Sequence, residues 1–237
     1  MNIILFTESD FVAPDTVHIR DRRCRHLLNV NKAAVDQTFR CGILNGNTGT
    51  GTVLKISRSG IEMGLDRLDG SPPAPLPLTV ILALPRPKML RRIIASLTSL
   101  GVKTIYLTNS WRVEKSFWQS PVLQADALEK AMIKGLEQSG DTMMPAIYQK
   151  RLFSPFVNKE LPSIADNTLK LVAHPKTDTR CPWNIQTPAT LVIGPEGGFI
   201  KREIETFEKY GFDICSMGPR ILNVETAVTA IISKLYI

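Results

Sequence analysis

The sequence predicts an α/β protein in which a small domain of short strands precedes a parallel sheet covered by helices. Up to residue 70, short segments alternate between apolar and polar residues, whereas from residue 78 onward apolar runs alternate with amphipathic helices. Between these regions, "GSPPAPLP" at 70–77 contains four prolines, and such a run continues neither a helix nor a central strand. We therefore predict domains at 1–70 and 78–237, joined by a linker at 71–77.

The first domain is predicted to be a twisted sheet or barrel built from hairpins. Its strand candidates are "QTFRCGIL", "GTVLKIS" and "GIEMGLDRL", and one short helix is predicted at "CRHLLNVNK". The glycine-rich "GNTGTG" at 46–51 lacks the GxGxxG spacing and no helix follows it. We interpret it as a turn between strands.

The second domain shows the strand and helix alternation of a parallel sheet. "LTVILAL", "KMLRRIIASLTSLG" and "KTIYLTN" predict a strand, a helix that stops at Gly101 and a second strand. A long helix is predicted at 121–139, followed by strands near "PAIYQ", "TLKLVAH" and "TLVIG". The helix "KREIETFEKYG", the strand "FDICSM" and a last helix from Val224 complete the predicted order.

Composition narrows the class of protein. The 237 residues carry a formal net charge of +7, which favours a polyanionic partner. The four cysteines form no CxxC pair and the three histidines no ligand-spaced cluster, so we expect neither a disulfide framework nor a metal site. Because no apolar run approaches the roughly 20 residues of a membrane span and the first residues lack a signal-peptide pattern, we expect a cytoplasmic protein with no membrane partner.

A basic cluster lies in the first domain, within "RDRRCRH". It contains Arg20, Arg22, Arg23 and Arg25, which are candidates for contacts with RNA phosphates. A solvated charged turn is the alternative interpretation, and the sequence does not separate the two.

Three segments share the design of a strand that ends in a loop able to offer backbone groups to a ligand. They are "LKLVAHP", "LVIGPEGGF" and "CSMGPRILNVETA". Ligands of open α/β sheets bind at the carboxyl ends of strands, so we expect these loops to converge. Neither the phosphate-binding GxxxxGK[ST] motif nor the GxSxG elbow of hydrolases is present.

The motifs "IGPEGGF" and "SMGPRILNVETA", with "LEQSG" in the preceding helix, resemble the RsmE family. These are bacterial methyltransferases of the SPOUT superfamily that act on N3 of a uridine in small-subunit (16S) ribosomal RNA. The resemblance implies a PUA-like barrel before a trefoil-knotted α/β domain, S-adenosylmethionine as cofactor with S-adenosylhomocysteine as product, and a homodimer formed through the knotted domain. It places the cofactor against Leu171, His174, Ile193, Gly194, Pro195, Glu196, Gly197, Gly198, Met217, Gly218, Ile221, Leu222, Thr226 and Ala227.

Transfer of a methyl group from a sulfonium to a ring nitrogen is an in-line displacement, which needs positioning rather than a metal or a covalent nucleophile. The uridine imide must also lose its proton, and a guanidinium would stabilise the resulting anion. Arg220 is the candidate for this role, with a phosphate anchor or a structural arginine as alternatives. Glu196 is a candidate for loop ordering, for ligand contact or for general base.

The sequence departs from the family at positions expected to face RNA. Typical members have "RILRTETA", whereas this chain has Asn223 after Leu222. Asn223 is the third catalytic candidate, and it lacks the positive charge of the usual arginine. Asp141 likewise follows "EQSG" where an arginine is expected, and Lys32 in "VNK" keeps a positive charge for RNA. Two alternatives therefore stay open: a SPOUT methyltransferase for another ribosomal or transfer RNA nucleoside, and a non-catalytic RNA-binding or ribosome-assembly protein.

Overall fold

The computed structural model describes residues 1–236. Contacts within the chain divide it into two compact units, one made of Met1–Ala74 with Leu136–Met144 and the other of Pro75–Gly135 with the chain from Pro145 onward. The first break therefore lies inside the predicted linker at 71–77. Residues 136–144, which the predicted domain bounds assign to the second domain, contact the first unit.

The first unit is built on a six-stranded curled sheet with the order β1-β4-β5-β6-β3-β2. Its strands β1 to β6 are Ile4–Phe6, Phe11–Ala13, Thr16–Ile19, Thr38–Ile43, Thr48–Ser57 and Gly60–Leu65, with helix α1 at Arg22–Asn29 after β3. Strand β1 pairs with β4 in parallel and the other pairs are antiparallel, which confirms the predicted hairpin sheet.

One detail of this sheet differs from the prediction. Strand β5 already begins at Thr48, so Gly49 and Gly51 lie within a strand rather than in the turn predicted at 46–51. A Cβ atom on Gly49 would lie 1.7 Å from the carbonyl oxygen of Arg67. The glycine thus allows a close approach of two backbone segments, a contact that local sequence does not reveal.

A buried ion pair fixes α1 to the sheet. The guanidinium of Arg23 bonds to the Asp10 carboxylate at 2.6 and 2.8 Å and donates to the carbonyl oxygen of Leu5. Asp21, the N-cap of α1, accepts from the Arg23 amide. Burial raises the pKa of Asp10, but the hydrogen bonds from Arg23 and Thr7 outweigh it and leave this pKa below its usual value.

The cluster predicted to contact RNA therefore separates into different roles. Arg23, with a side chain 11% exposed, holds the fold rather than a ligand, so its assignment to RNA is corrected. Arg22 is half-exposed and forms a bidentate ion pair with the buried Glu137 of the 136–144 segment. The remaining candidates are exposed: Arg20, Arg25 and Lys32.

The 136–144 segment is tied to the first unit through its backbone. The Asn2 amide donates to the carbonyl oxygen of Glu137, and the Asn45 amide donates to that of Thr142. Asp141 is buried and accepts from the Met143 amide at 2.9 Å. The aspartate at the position where an arginine is typical of the family therefore orders this turn.

The second unit contains a six-stranded parallel sheet with the order β12-β10-β11-β7-β8-β9. Its strands β7 to β12 are Leu78–Ala83, Thr104–Thr108, Ala146–Lys150, Leu169–Ala173, Ala189–Ile193 and Asp213–Cys215. Helices α2 (Pro87–Ser99), α3 (Ala125–Ser139), α6 (Lys201–Lys209) and α7 (Val224–Tyr236) follow the predicted order. This confirms the α/β class, and the threading that makes a trefoil knot stays a prediction.

The helical segments of the second unit differ from the prediction at two places. The helix predicted at 121–139 begins at Ala125, after a 3-10 turn at Pro121–Leu123 in which Ser120 accepts from the Val122 amide. A run of short helical pieces was not predicted: α4 (Phe153–Pro155), a π-helical turn (Phe156–Glu160) and α5 (Leu161–Ile164). Two prolines within this run mask the helical pattern from a periodicity argument.

Substitution of Arg23 by Ala is expected to destabilise the protein by about 3 kcal/mol, because it leaves the Asp10 carboxylate buried without its guanidinium. The neighbouring Arg25→Ala variant, which removes an exposed guanidinium from the same helix, is expected to stay within about 0.5 kcal/mol of the wild type. Urea unfolding followed by circular dichroism measures both. Equal stability of the two variants would contradict the structural role of Arg23.

Candidate functional site

The carboxyl ends of β10, β11 and β12 open into a cleft of about 960 Å³. The three loops predicted to converge do so, because each follows one of these strands and contributes to the lining. The predicted residues found in the lining are His174, Ile193, Gly194, Pro195, Glu196, Gly197, Gly198, Met217, Gly218, Arg220, Ile221, Leu222, Asn223 and Ala227.

Two predicted cofactor residues lie elsewhere. Leu171 is buried in the middle of β10, paired with Leu191 on one side and Asp213 on the other. Thr226 is exposed in the first turn of α7 and donates its amide to Asn223. The structure does not bring either side chain into the cleft lining.

The second loop is a tight turn at the end of β11. The Gly198 amide donates to the carbonyl oxygen of Pro195 at 2.8 Å, and Gly198 has a φ of +69°, a conformation that glycine adopts without strain. The ring of Phe199, itself buried, lies 3.3 Å from the position that a Cβ atom would take on Gly194. A side chain at position 194 would therefore crowd this ring, so glycine lets the loop backbone pack closely on Phe199.

Glu196 orders this loop through a partner that the sequence did not indicate. Its Oε1 atom accepts from the Arg86 amide at 3.0 Å, just before Pro87 opens α2. The carboxylate therefore joins the loop after β11 to the loop after β7. Of the three predicted roles, this contact supports loop ordering.

A second carboxylate, Glu203, caps the start of α6 and contacts the turn after β8. It is 5% exposed, and its two oxygens accept from the amides of Ile200 at 2.9 Å and Trp111 at 2.7 Å. The first bond satisfies a backbone donor at the start of α6 and the second fixes the turn after β8. A glutamate in the third position of a helix after a glycine-rich turn is the signal that would have found it.

The third loop carries a glycine with a positive φ and a helix cap. Gly218 has a φ of +127°, and a Cβ atom there would lie 2.5 Å from Arg180 Nη1. Asn223 is the N-cap of α7, because its Oδ1 atom accepts from the Thr226 amide at 2.8 Å. The side-chain oxygen of Asn223 is therefore engaged, which leaves the amide nitrogen as its group available to a ligand.

Positive charge prevails around the cleft. Its lining includes Arg112, Lys176, Lys201 and Arg220, against Glu196 and Glu208. Burial lowers the pKa of His174, and the charges of Lys176 and Arg112 lower it further, which favours the neutral form of this histidine. Arg112, which sequence reasoning missed, donates from its guanidinium to the carbonyl oxygen of Gly197.

Residues 1–236 contain neither a metal-binding cluster nor a membrane-spanning helix. Within this range, no group of three or more His, Cys, Asp and Glu side chains is arranged to hold a metal ion. No helix in the same range is long and apolar enough to cross a membrane.

The fold and the glycine-rich cleft are those of the RNA methyltransferase class, and the family model described as RNA methyltransferase domain matches residues 72–236. The ribosomal RNA small subunit methyltransferase E of Treponema pallidum is 30% identical over 97% of this chain and 88% of its own length. Methyltransferase E 1 of Borreliella burgdorferi is 25% identical over 97% and 95%. The chain therefore belongs to the ribosomal RNA small subunit methyltransferase E family, as the resemblance to RsmE predicts.

A solved structure supports the same architecture. The ribosomal RNA small subunit methyltransferase E of Neisseria gonorrhoeae, bound to S-adenosyl methionine, superposes with a TM-score of 0.71 at 22% identity. The match covers 97% of this chain and 95% of that one. It confirms the fold class, with a PUA-like sheet before the parallel α/β sheet.

Removal of the cap by Asn223→Ala is expected to destabilise the protein by about 1 kcal/mol, since an amide at the start of α7 loses its acceptor. Asn223→Asp keeps the acceptor and is expected to lie near the wild type. Thermal or denaturant unfolding of both variants provides the measurement. A loss of the same size in both would show that the cap does not explain the effect.

Proposed function

We propose that the protein uses S-adenosylmethionine to methylate N3 of a uridine in small-subunit ribosomal RNA. The observation that carries the proposal is the convergence of the "GPEGG" and "GPRILN" loops on one cleft at the carboxyl ends of β10 to β12. Family membership and the cofactor-bound relative from Neisseria gonorrhoeae support the choice of cofactor and substrate.

The cleft fits the cofactor in size and in chemistry. A volume of about 960 Å³ is of the order found for cofactor pockets. Ile193, Met217 and Leu222 offer apolar contacts for the adenine ring, and the backbone of Gly194 and Gly218 offers polar groups for its edge. At Gly218 a larger residue would be strained by the positive φ and would collide with Arg180.

When bound, the cofactor supplies a methyl group on a positively charged sulfur. The chain's own residues then position the uridine and stabilise the anion that forms when the imide loses its proton. Arg220 is exposed and lines the cleft, so its guanidinium is available to that anion. The Asn223 amide nitrogen is a second donor, and Glu196 acts by holding its loop against the Arg86 amide.

The proposed function is tested by methyl transfer from labelled S-adenosylmethionine to small ribosomal subunits from a strain that lacks this gene. Label is expected in N3-methyluridine after nucleoside analysis. Arg220→Ala is expected to lower kcat by roughly 100-fold, the effect of losing one donor to a developing anion. Arg202→Ala, which removes an exposed guanidinium from α6 outside the cleft lining, is the matched control and should keep full activity.

Other results would select the alternatives. Label in a different nucleoside of ribosomal or transfer RNA would assign the same chemistry to another target. Cofactor binding without label in any RNA would favour the non-catalytic RNA-binding or ribosome-assembly role. An unchanged kcat in Arg220→Ala would remove this arginine from catalysis while leaving the reaction in place.

The proposal extends to a cytoplasmic homodimer formed through the second unit. Ile221, which lines the cleft, exposes 81% of its surface, and a second copy covering it would bury apolar area. Light scattering is expected to give twice the 26.4 kDa mass of one chain. Ile221→Glu should shift that mass toward the monomer, whereas Leu54→Glu, at an exposed apolar position of the first unit, should not. A monomeric wild type would refute the dimer.

A further inference from the structure

We infer that the turn after β8 holds an unpaired RNA nucleotide, with Trp111 stacking on its base and Arg112 beside its phosphate. The inference rests on the proposed function only in taking RNA as the substrate. It assigns a recognition role to two residues outside the glycine-rich motifs.

Trp111 extends its indole ring into solvent from a turn in which Ser110 and Val113 are buried. Ser110 and Val113 are buried, and the Val113 amide donates to the carbonyl oxygen of Ser110 at 3.1 Å. Between them, Trp111 exposes 79% of its surface. The core therefore does not need the indole, which leaves both of its faces available for stacking.

The backbone below the indole is held by two groups from other parts of the chain. The buried Glu203 carboxylate accepts from the Trp111 amide at 2.7 Å. The Arg112 guanidinium donates to the carbonyl oxygen of Gly197, and the Arg112 side chain packs over that glycine. A ring on a fixed backbone loses little conformational freedom on binding, which is the condition for an efficient stacking platform.

The neighbouring charges favour an anion. Arg112 lines the cleft together with Lys176, Lys201 and Arg220. Of the acidic residues in the same lining, Glu196 is engaged by the Arg86 amide. An exposed aromatic beside a cationic groove is the combination with which proteins bind single-stranded nucleic acids.

The other tryptophans differ from Trp111. Trp118 is half-buried, donates from its indole nitrogen to Asn109 and lies 5.8 Å from the Arg151 guanidinium. Trp183 is 73% exposed, but neither of its chain neighbours, Pro182 and Asn184, lines the cleft, whereas Arg112 next to Trp111 does. Trp183 is thus an internal control of nearly equal exposure whose flanking residues lie outside the cleft lining.

The test compares Trp111→Ala, Trp111→Phe and Trp183→Ala in binding fluorescein-labelled small-subunit ribosomal RNA, followed by anisotropy. Trp111→Ala is expected to weaken binding roughly 5- to 100-fold, the range for loss of one base-stacking ring. Trp111→Phe should retain most of the affinity and Trp183→Ala should stay within about twofold. Calorimetric titration with S-adenosylmethionine and melting temperatures are expected to be unchanged in all three.

Three results would overturn the inference: failure of the wild type to bind this RNA, equal RNA affinity in Trp111→Ala and Trp183→Ala, or a change of oligomeric mass in Trp111→Ala. If Trp111→Ala does not fold, photo-cross-linking of 5-bromouridine-substituted RNA to the wild type decides. A cross-linked peptide containing Trp111 supports the inference, and its absence from the cross-linked peptides refutes it.

Methyl transfer by the wild type tests the proposed function independently of the role of Trp111. A wild type that transfers no methyl group but binds RNA through Trp111 would keep this inference and reject the proposed function. A wild type that is active, with the same KM for small subunits in Trp111→Ala, would keep the function and reject the inference.

Discussion

The buried carboxylate of Glu203 is the contact on which the geometry of the cleft depends. One of its oxygens accepts a hydrogen bond from the Ile200 amide just before α6, and the other accepts one from the Trp111 amide in the turn after β8. The glycine-rich loop lies directly before α6, so a single side chain positions that loop and a turn from a different strand at once. Glu196, within the loop, plays a similar part, because its carboxylate accepts a hydrogen bond from the Arg86 amide just before α2. Both walls are therefore held by carboxylates that bond to backbone donors at helix starts, where negative charge is favoured.

The first unit uses its charges in a different way. Arg23 lies in the basic cluster at 20–25, yet its guanidinium donates to the Asp10 carboxylate and to the carbonyl oxygen of Leu5. Arg22 forms a bidentate ion pair with Glu137 of the 136–144 segment. A basic run in a sequence thus divides into cations that build the unit and cations that remain exposed for an anionic partner. Only the contacts of each guanidinium distinguish the two groups.

Much of the fold and part of the site are predictable from the sequence, because their signals are local. The strands of the parallel sheet, the helix from Val224 and the convergence of the three loops follow from periodicity and from the geometry of parallel strands. The contact of Glu203 with Trp111 and that of Arg112 with Gly197 were missed because the residues of each pair lie 92 and 85 positions apart in the chain, whereas the bond from the Ile200 amide to Glu203 is local. Gly49 was misplaced for the same reason, since the backbone that approaches it belongs to another segment. Long-range pairing of this kind leaves no periodic trace.

The cap at Asn223 links the stability of α7 to the charge of the cleft. The same residue caps α7 and lines the cleft, so a replacement changes both the stability of the helix and the groups that face a ligand. An arginine, typical of the family at this position, brings a fixed charge to the substrate but no acceptor for the Thr226 amide. Asparagine provides the acceptor for the Thr226 amide but carries no fixed charge. With asparagine at this position, the positive charge beside the cleft comes from other elements, and Arg112 supplies part of it from the turn after β8.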